Sequence, residues 1–351
     1  MAVFGCGECG ARLTAAVSEV ALPAHAALRG GHDLLPPLLE PGSYAVDPRP
    51  YGPPWQQWED LGAERAAERG LFAPLWGISD GPTGTVVLAP GDVGGVVLVP
   101  QWCGEGCLGV GGADRPNLAC AECGLPVGSR IDDCGQWQAV RLDPRAVRRL
   151  PGAPSEPAPA GWEEITGEDR ALPPVEPRGW WSDRWQAATG AALAHVAAAS
   201  GGRPVAVVDP QAAPYLERAL AALLPGGEPE RRLALAGPGL GVPDAELLLV
   251  PLHPQSGEVW APPGGGGEAV LVPLAAEVWA WLVSPGERSR LPVVGGLPEG
   301  VERDDPLPLR PVWVFEPSRQ VFREVLAWMP AVREPWLRAV FDRAWRSPWM
   351  A

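Results

Sequence analysis

Cys6-Gly7-Glu8-Cys9-Gly10 and Cys120-Ala121-Glu122-Cys123-Gly124 are two versions of one short phrase, and their reading decides what the first half of the chain is built around. A CxxC spacing puts two thiolates within reach of one ion, and the Gly after the second Cys permits a tight turn that points backbone amides at the sulfurs. Four thiolates from two such knuckles make a closed tetrahedral site, which in a reducing compartment suits zinc. The other cysteines, Cys103, Cys107 and Cys134, also precede residue 150, so all seven lie in one region.

Spacing leaves the pairing open. Cys103, Cys107, Cys120 and Cys123 also have the spacing of a compact local site, which would leave Cys6, Cys9 and Cys134 over; the knuckle pairing leaves Cys103, Cys107 and Cys134 over. A second zinc on either remainder needs a fourth ligand, and His32 and His25 are the nearest candidates in sequence. The expectation is therefore one zinc, with two allowed. A redox CxxC is the competing reading, but it belongs at a helix N-terminus after a strand, and neither knuckle stands in such a pattern.

The knuckles resemble those of zinc-ribbon proteins, with a long insertion between them. Cys6-Gly7-Glu8-Cys9-Gly10 together with Arg130-Ile131-Asp132-Asp133-Cys134-Gly135-Gln136-Trp137 resembles an uncharacterised actinobacterial family, a resemblance that implies no activity.

At 351 residues the chain is long enough for two domains. A Pro, Ala and Glu-rich stretch, 151–177, reads as a linker between residues 1–150 and 178–351. Before it, short apolar runs punctuated by Gly and Pro, Thr85 to Leu88, Val96 to Val99 and Trp137 to Leu142, read as strands, with a turn at Gly91-Asp92. Asp143 and Pro144 look like the cap and first turn of a helix to Leu150 carrying Arg145, Arg148 and Arg149, with Arg141 beside it. After it the pattern alternates: a helix from Ser182 to about Ala198, a strand Val205 to Val208, a helix Pro214 to Leu224, and strands Leu233 to Ala236 and Leu247 to Val250. Two amphipathic helices close the chain, one capped by Ser318 and one opened by Pro335, the latter with Trp336, Leu337, Val340, Phe341, Ala344 and Trp345 on one face. The expected fold class is α+β: a β-rich zinc-binding domain followed by an α/β domain with terminal amphipathic helices.

The chain has no Lys, so all 28 basic residues are Arg, and its only Asn is Asn117. With the heavy Ala, Gly and Pro usage, this reads as a GC-rich codon bias. A phosphate loop of the GxxxxGK type and Schiff-base chemistry both need a lysine amine and are excluded. The net charge of −14 is spread over both halves, which disfavours non-specific nucleic-acid or anionic-membrane binding. The first residues lack an export signal, and the apolar stretch Ala269 to Val283 is too short to span a bilayer, so a cytoplasmic protein without a membrane segment is expected.

Other candidate sites are thinner. Gly77-Ile78-Ser79-Asp80-Gly81 matches GxSxG but lacks the following helix of a nucleophile elbow and reads as a turn. Asp209, Gly239 in Gly237-Pro238-Gly239-Leu240-Gly241, and His253 each follow a predicted strand, so a parallel sheet sets them on its carboxyl edge, the usual place for a ligand pocket. His195 reads as packed or at the surface, one of Asp132 and Asp133 as a partner for Arg130, and the 17 tryptophans as the bulk of the cores. With no HExxH and thiolate sites that look closed, the preferred function is a non-catalytic module that binds another protein. The alternative is a hydrolase or transferase using the pocket of Asp209, Gly239 and His253.

Overall fold

The structure, a computed structural model, describes residues 1–104, 106–107, 109–112, 115–177, 179–264, 268–284 and 311–346. Two compact units divide the chain: Met1–Ala160 with Pro254–Gly257, and Gly161–His253 with Glu258–Ala351.

The first unit is β-rich. Its strands are β1 (Phe4–Cys6), β2 (Ser18–Glu19), β3 (Ser43–Asp47), β4 (Trp55–Gln56), β5 (Ile78–Ser79), β6 (Thr85–Leu88), β7 (Val96–Leu98), β8 (Leu118–Cys120), β9 (Pro126–Ile131), β10 (Ala139–Leu142) and β11 (Val147–Arg149), with short helices α1 (Trp58–Leu61) and α2 (Ala63–Glu68). Seven strands form one sheet in the order β2-β3-β6-β10-β9-β8-β7, antiparallel except for the β2–β3 pair. Side chains alternate across it, as the strand period requires. Tyr44, Val86, Leu88, Val140 and Leu142 pack on one face with Phe4, Leu13, Cys6 and Cys120, while Ala45, Val87 and Ala139 pack on the other with Leu35, Leu38 and Trp137. Both faces are covered, which is why the interior strand β6, Thr85-Val86-Val87-Leu88, is buried along its whole length. A buried ion pair crosses this sheet, Arg141 Nη1 to Asp47 Oδ2 at 2.8 Å, with the guanidinium also 4.1 Å from the Tyr51 ring centre.

The helix anticipated after Asp143 does not form. The Asp143 carboxylate accepts the Arg145 amide at 2.9 Å and its carbonyl accepts the Ala146 amide, which makes a turn, and Val147–Arg149 pairs with Phe4–Cys6. Local side-chain bonds that cap a helix serve a turn equally well, and the short stretch 144–150 gains more by pairing with a waiting partner strand than as one or two isolated helical turns. The arginines consequently share no basic helix face: Arg141 is buried on Asp47, Arg145 bridges Asp143 and Arg149 bridges Glu19.

The second unit contains α3 (Trp162–Ile165), α4 (Asp183–Ser200), β12 (Val205–Val207), α5 (Ala213–Leu223), β13 (Arg231–Leu235), β14 (Leu247–Leu252), β15 (Val270–Ala275), α6 (Ala276–Val283), α7 (Arg319–Ala327) and α8 (Pro335–Arg346). The four strands are all parallel in the order β12-β13-β14-β15. That is the alternating α/β pattern read from the sequence, with the apolar stretch at 269–283 resolved into strand and helix. The Ser318 hydroxyl accepts the Val321 amide at 3.2 Å and caps α7, worth about 1 kcal/mol. Leu337, Val340, Phe341 and Ala344 form the buried face of α8; the Trp345 side chain expected there lies outside the described residues.

The stretch 151–177 is not a bare linker. Its first part runs along the first unit, where Glu156 meets the N-terminal amine at 2.7 Å, and its later part belongs to the second, where Ile165 is buried. Polar contacts accompany it: the Pro154 carbonyl accepts from the N-terminal amine at 3.0 Å, the Leu172 amide donates to the Glu277 carbonyl at 3.0 Å, and the Trp185 indole donates to the Leu172 carbonyl at 2.7 Å. Nor do the tryptophans all fill cores: Trp137, Trp185, Trp260 and Trp279 are buried, whereas Trp76, Trp180 and Trp313 are 92%, 62% and 78% exposed. No helix among the described residues is long and apolar enough to cross a membrane.

His195, on α4, is held down to about 4 by burial. Because the folded value lies below that of an exposed imidazole, the unfolded chain takes up the proton first as pH falls. Burial of the neutral His195 thus costs the second unit nothing above about pH 6.5, and this one group lowers its stability by up to about 3 kcal/mol toward pH 4. Acid unfolding followed at the second unit should show this decline, and His195→Gln should flatten it; an unchanged pH profile in that variant contradicts the assignment.

Candidate metal centre

Cys6 ends β1 and Cys120 ends β8, so two strands of one core carry the first sulfur of each knuckle into buried positions while Cys9 and Cys123 follow on exposed turns. The two turns match bond for bond. Cys6 donates its amide to the Ala11 carbonyl at 2.8 Å and accepts from the Gly10 amide at 3.0 Å; Cys120 does the same with Leu125 and Gly124, at 2.8 and 2.9 Å. Gly10 and Gly124 have φ of 77° and 76°, the left-handed conformation that closes such a turn and that a side chain would oppose.

The turns face each other. Cys6 Sγ lies 3.6 Å from Cys123 Sγ, and Cys9 Sγ lies 3.7 Å from Cys120 Sγ; all four sulfurs fall within 4.8 Å of one another. A tetrahedron with Zn–S bonds of about 2.3 Å has edges of about 3.8 Å, so the spacing fits a four-thiolate ion without rearrangement. The knuckle pairing is therefore the one the fold assembles, and the local pairing of Cys103 and Cys107 with Cys120 and Cys123 is not. β1 pairs with β11 and β8 lies in the seven-stranded sheet, but Cys6 and Cys120 share one core, and that shared core brings the distant knuckles together.

The thiols perturb one another as four crowded acids should. Burial raises the Cys6 thiol, but the amides of Cys9 and Glu8 and the neighbouring sulfurs outweigh it and hold the group at about 7. At Cys123 the Leu125 amide pulls downward, yet burial and the sulfurs of Cys6, Cys9 and Cys120 push the group up to about 12. Full ionisation of four adjacent sulfurs needs a cation, and a divalent metal supplies it while displacing the remaining protons.

Of the remaining cysteines, Cys107 and Cys134 group with His32, their ligand atoms also within 4.8 Å, and Cys134 Sγ is 3.7 Å from His32 Nδ1. Cys103 does not join them; its sulfur donates to the Val99 carbonyl at 3.5 Å. His25, the other histidine weighed as a ligand, is buried with its ring 4.6 Å from that of Trp137. Asp132 pairs with Arg130 at 2.8 Å.

Asp209, Gly239 and His253 follow β12, β13 and β14 and share the carboxyl edge of the parallel sheet, but each has a local task. The Asp209 carboxylate accepts the Gln211 amide at 2.9 Å and its carbonyl accepts from Ala212 and Ala213, which starts α5. Gly239 occupies a turn with φ of 77°. His253 is buried, with its ring 5.1 Å from that of Trp162. In the GxSxG stretch, Ser79 is buried in β5, donating to the Gly52 carbonyl and accepting from the Gly81 amide, as a turn serine would.

No protein-family model matches the chain, and no curated protein or solved structure matches it. What the residues define is a candidate centre of four cysteines in an α+β protein.

Proposed function

We propose that this chain is a non-catalytic, zinc-stabilised module of the cytoplasm that binds another protein. The observation that carries the reading is the four-sulfur set of Cys6, Cys9, Cys120 and Cys123: an ion held by all four would have its tetrahedral positions filled by protein sulfur, with no place for an activated water. Zinc there serves architecture. The surface offers what a protein partner can use, since Val312, Trp313 and Val314 are 86%, 78% and 64% exposed in succession, and aromatic side chains with such exposure anchor interfaces. The acidic net charge points away from nucleic acid.

The rival reading is an enzyme with a small-ligand pocket at Asp209, Gly239 and His253. Asp209→Ala combined with His253→Ala separates the two. Partner capture by the immobilised full chain should survive in that variant and be lost on Trp313→Ala. A turnover or a co-purified small molecule that disappears in the Asp209 and His253 variant, with zinc and fold retained, would instead establish the enzyme.

A further inference from the structure

The stretch from Arg130 to Trp137 contributes nothing to the four-cysteine group, yet it draws two other loops together around Cys134. Asp132 exchanges main-chain bonds with Val110, donating at 2.8 Å and accepting at 2.9 Å, which fastens the loop that carries Cys107. The Asp133 carboxylate then accepts the Cys107 amide at 3.0 Å. On the other side, Gly135 donates to the Asp33 carbonyl and accepts from the Gly30 amide, both at 2.9 Å, which fastens the loop that carries His32. Gly135 has φ of 66°, and a Cβ there would stand 2.7 Å from the carbonyl oxygens of Gly30 and Gly31, so only glycine allows this approach. Cys134 sits between the two clamps. Its sulfur lies 3.7 Å from His32 Nδ1, close to the roughly 3.6 Å edge of a tetrahedral zinc with one Zn–S bond and one Zn–N bond.

We propose that His32, Cys107 and Cys134 hold a second, thiophilic divalent cation whose fourth position is open to a small exogenous donor. Two thiolates and a neutral imidazole just balance the charge of a divalent ion, and this Cys2His set leaves one exchangeable position, unlike the closed four-sulfur centre. His32 and Cys107 are solvent-exposed, so the fourth position faces water. Cys103, the nearest spare thiol in sequence, is turned to the Val99 carbonyl instead. Asp133 positions Cys107 through its amide, the kind of supporting bond that fixes a ligand's orientation.

Cobalt titration of the full reduced chain tests this, because Co2+ reports both count and ligand type. The wild-type chain should bind two equivalents, and His32→Ala and Cys107→Ser should each bind one, with the four-thiolate spectrum of the first equivalent retained as proof of folding. Cys103→Ser should still bind two, and azide should shift only the spectrum of the second equivalent. Saturation of the wild type at one equivalent, or retention of two by Cys107→Ser, overturns the site; loss of the second equivalent in Cys103→Ser overturns its open position. The count stands or falls independently of partner capture, so it does not share the fate of the binding-module reading.

Discussion

Cys120→Ser should leave the first unit unfolded while the second still unfolds cooperatively. Apparent zinc-binding energies of about 10–16 kcal/mol for small structural sites equal or exceed the roughly 5–15 kcal/mol net stability of an ordinary domain. Where a ligand of such a site also lies in the core, losing it removes both contributions. Cys120 is 1% exposed and packs with Leu118, Val127 and Leu13 in the same cluster as Cys6, and its carbonyl and amide close the second knuckle. Limited proteolysis with thermal melting should show fragments from residues 1–160 cleaved early and one transition lost. Cys134→Ser, which leaves all four knuckle sulfurs in place, should retain both transitions. Equal melting of the wild type and Cys120→Ser would remove the basis for a structural metal.

Asp47→Ala should be the most damaging change to the first unit that touches no cysteine. Asp47 and Arg141 are each about 7% exposed at the side chain, and their 2.8 Å contact neutralises a guanidinium inside the sheet. Removing one partner of a buried pair leaves an uncompensated charge, at about 3–5 kcal/mol. For a unit of this size that lowers Tm by on the order of 10 °C. Combining Asp47→Leu with Arg141→Met should restore most of the loss, since a buried pair replaced by apolar groups of similar volume is often neutral. If the single variant melts within a degree or two of wild type, the pair is solvated in solution.

The second half was readable because its signals are local. Strand and helix periods alternate there, and the Ser318 cap and the apolar face of Leu337, Val340 and Phe341 appear in the structure where the pattern placed them. The first half depends on non-local pairing, which spacing does not encode. Asp143 could cap a helix or close a turn, and the decision rested on β1, more than a hundred residues away in the chain. The cysteines posed the same problem: two knuckles were legible as metal ligands, but their union required β1 and β8 to end side by side. His32 carried only one signal, its standing with His25 as the nearest histidine in sequence to the spare cysteines, and it was the turn at Gly135 that drew it to Cys134. The exposed Trp76, Trp180 and Trp313 escaped the composition argument, which treats all tryptophans alike.

The most direct measurement of the central claim is the metal content of the full chain purified without chelator. At least one zinc per chain, retained through gel filtration and released only as the first unit unfolds, is the predicted result. Well under one zinc per chain in a protein whose first unit is nonetheless folded would contradict it.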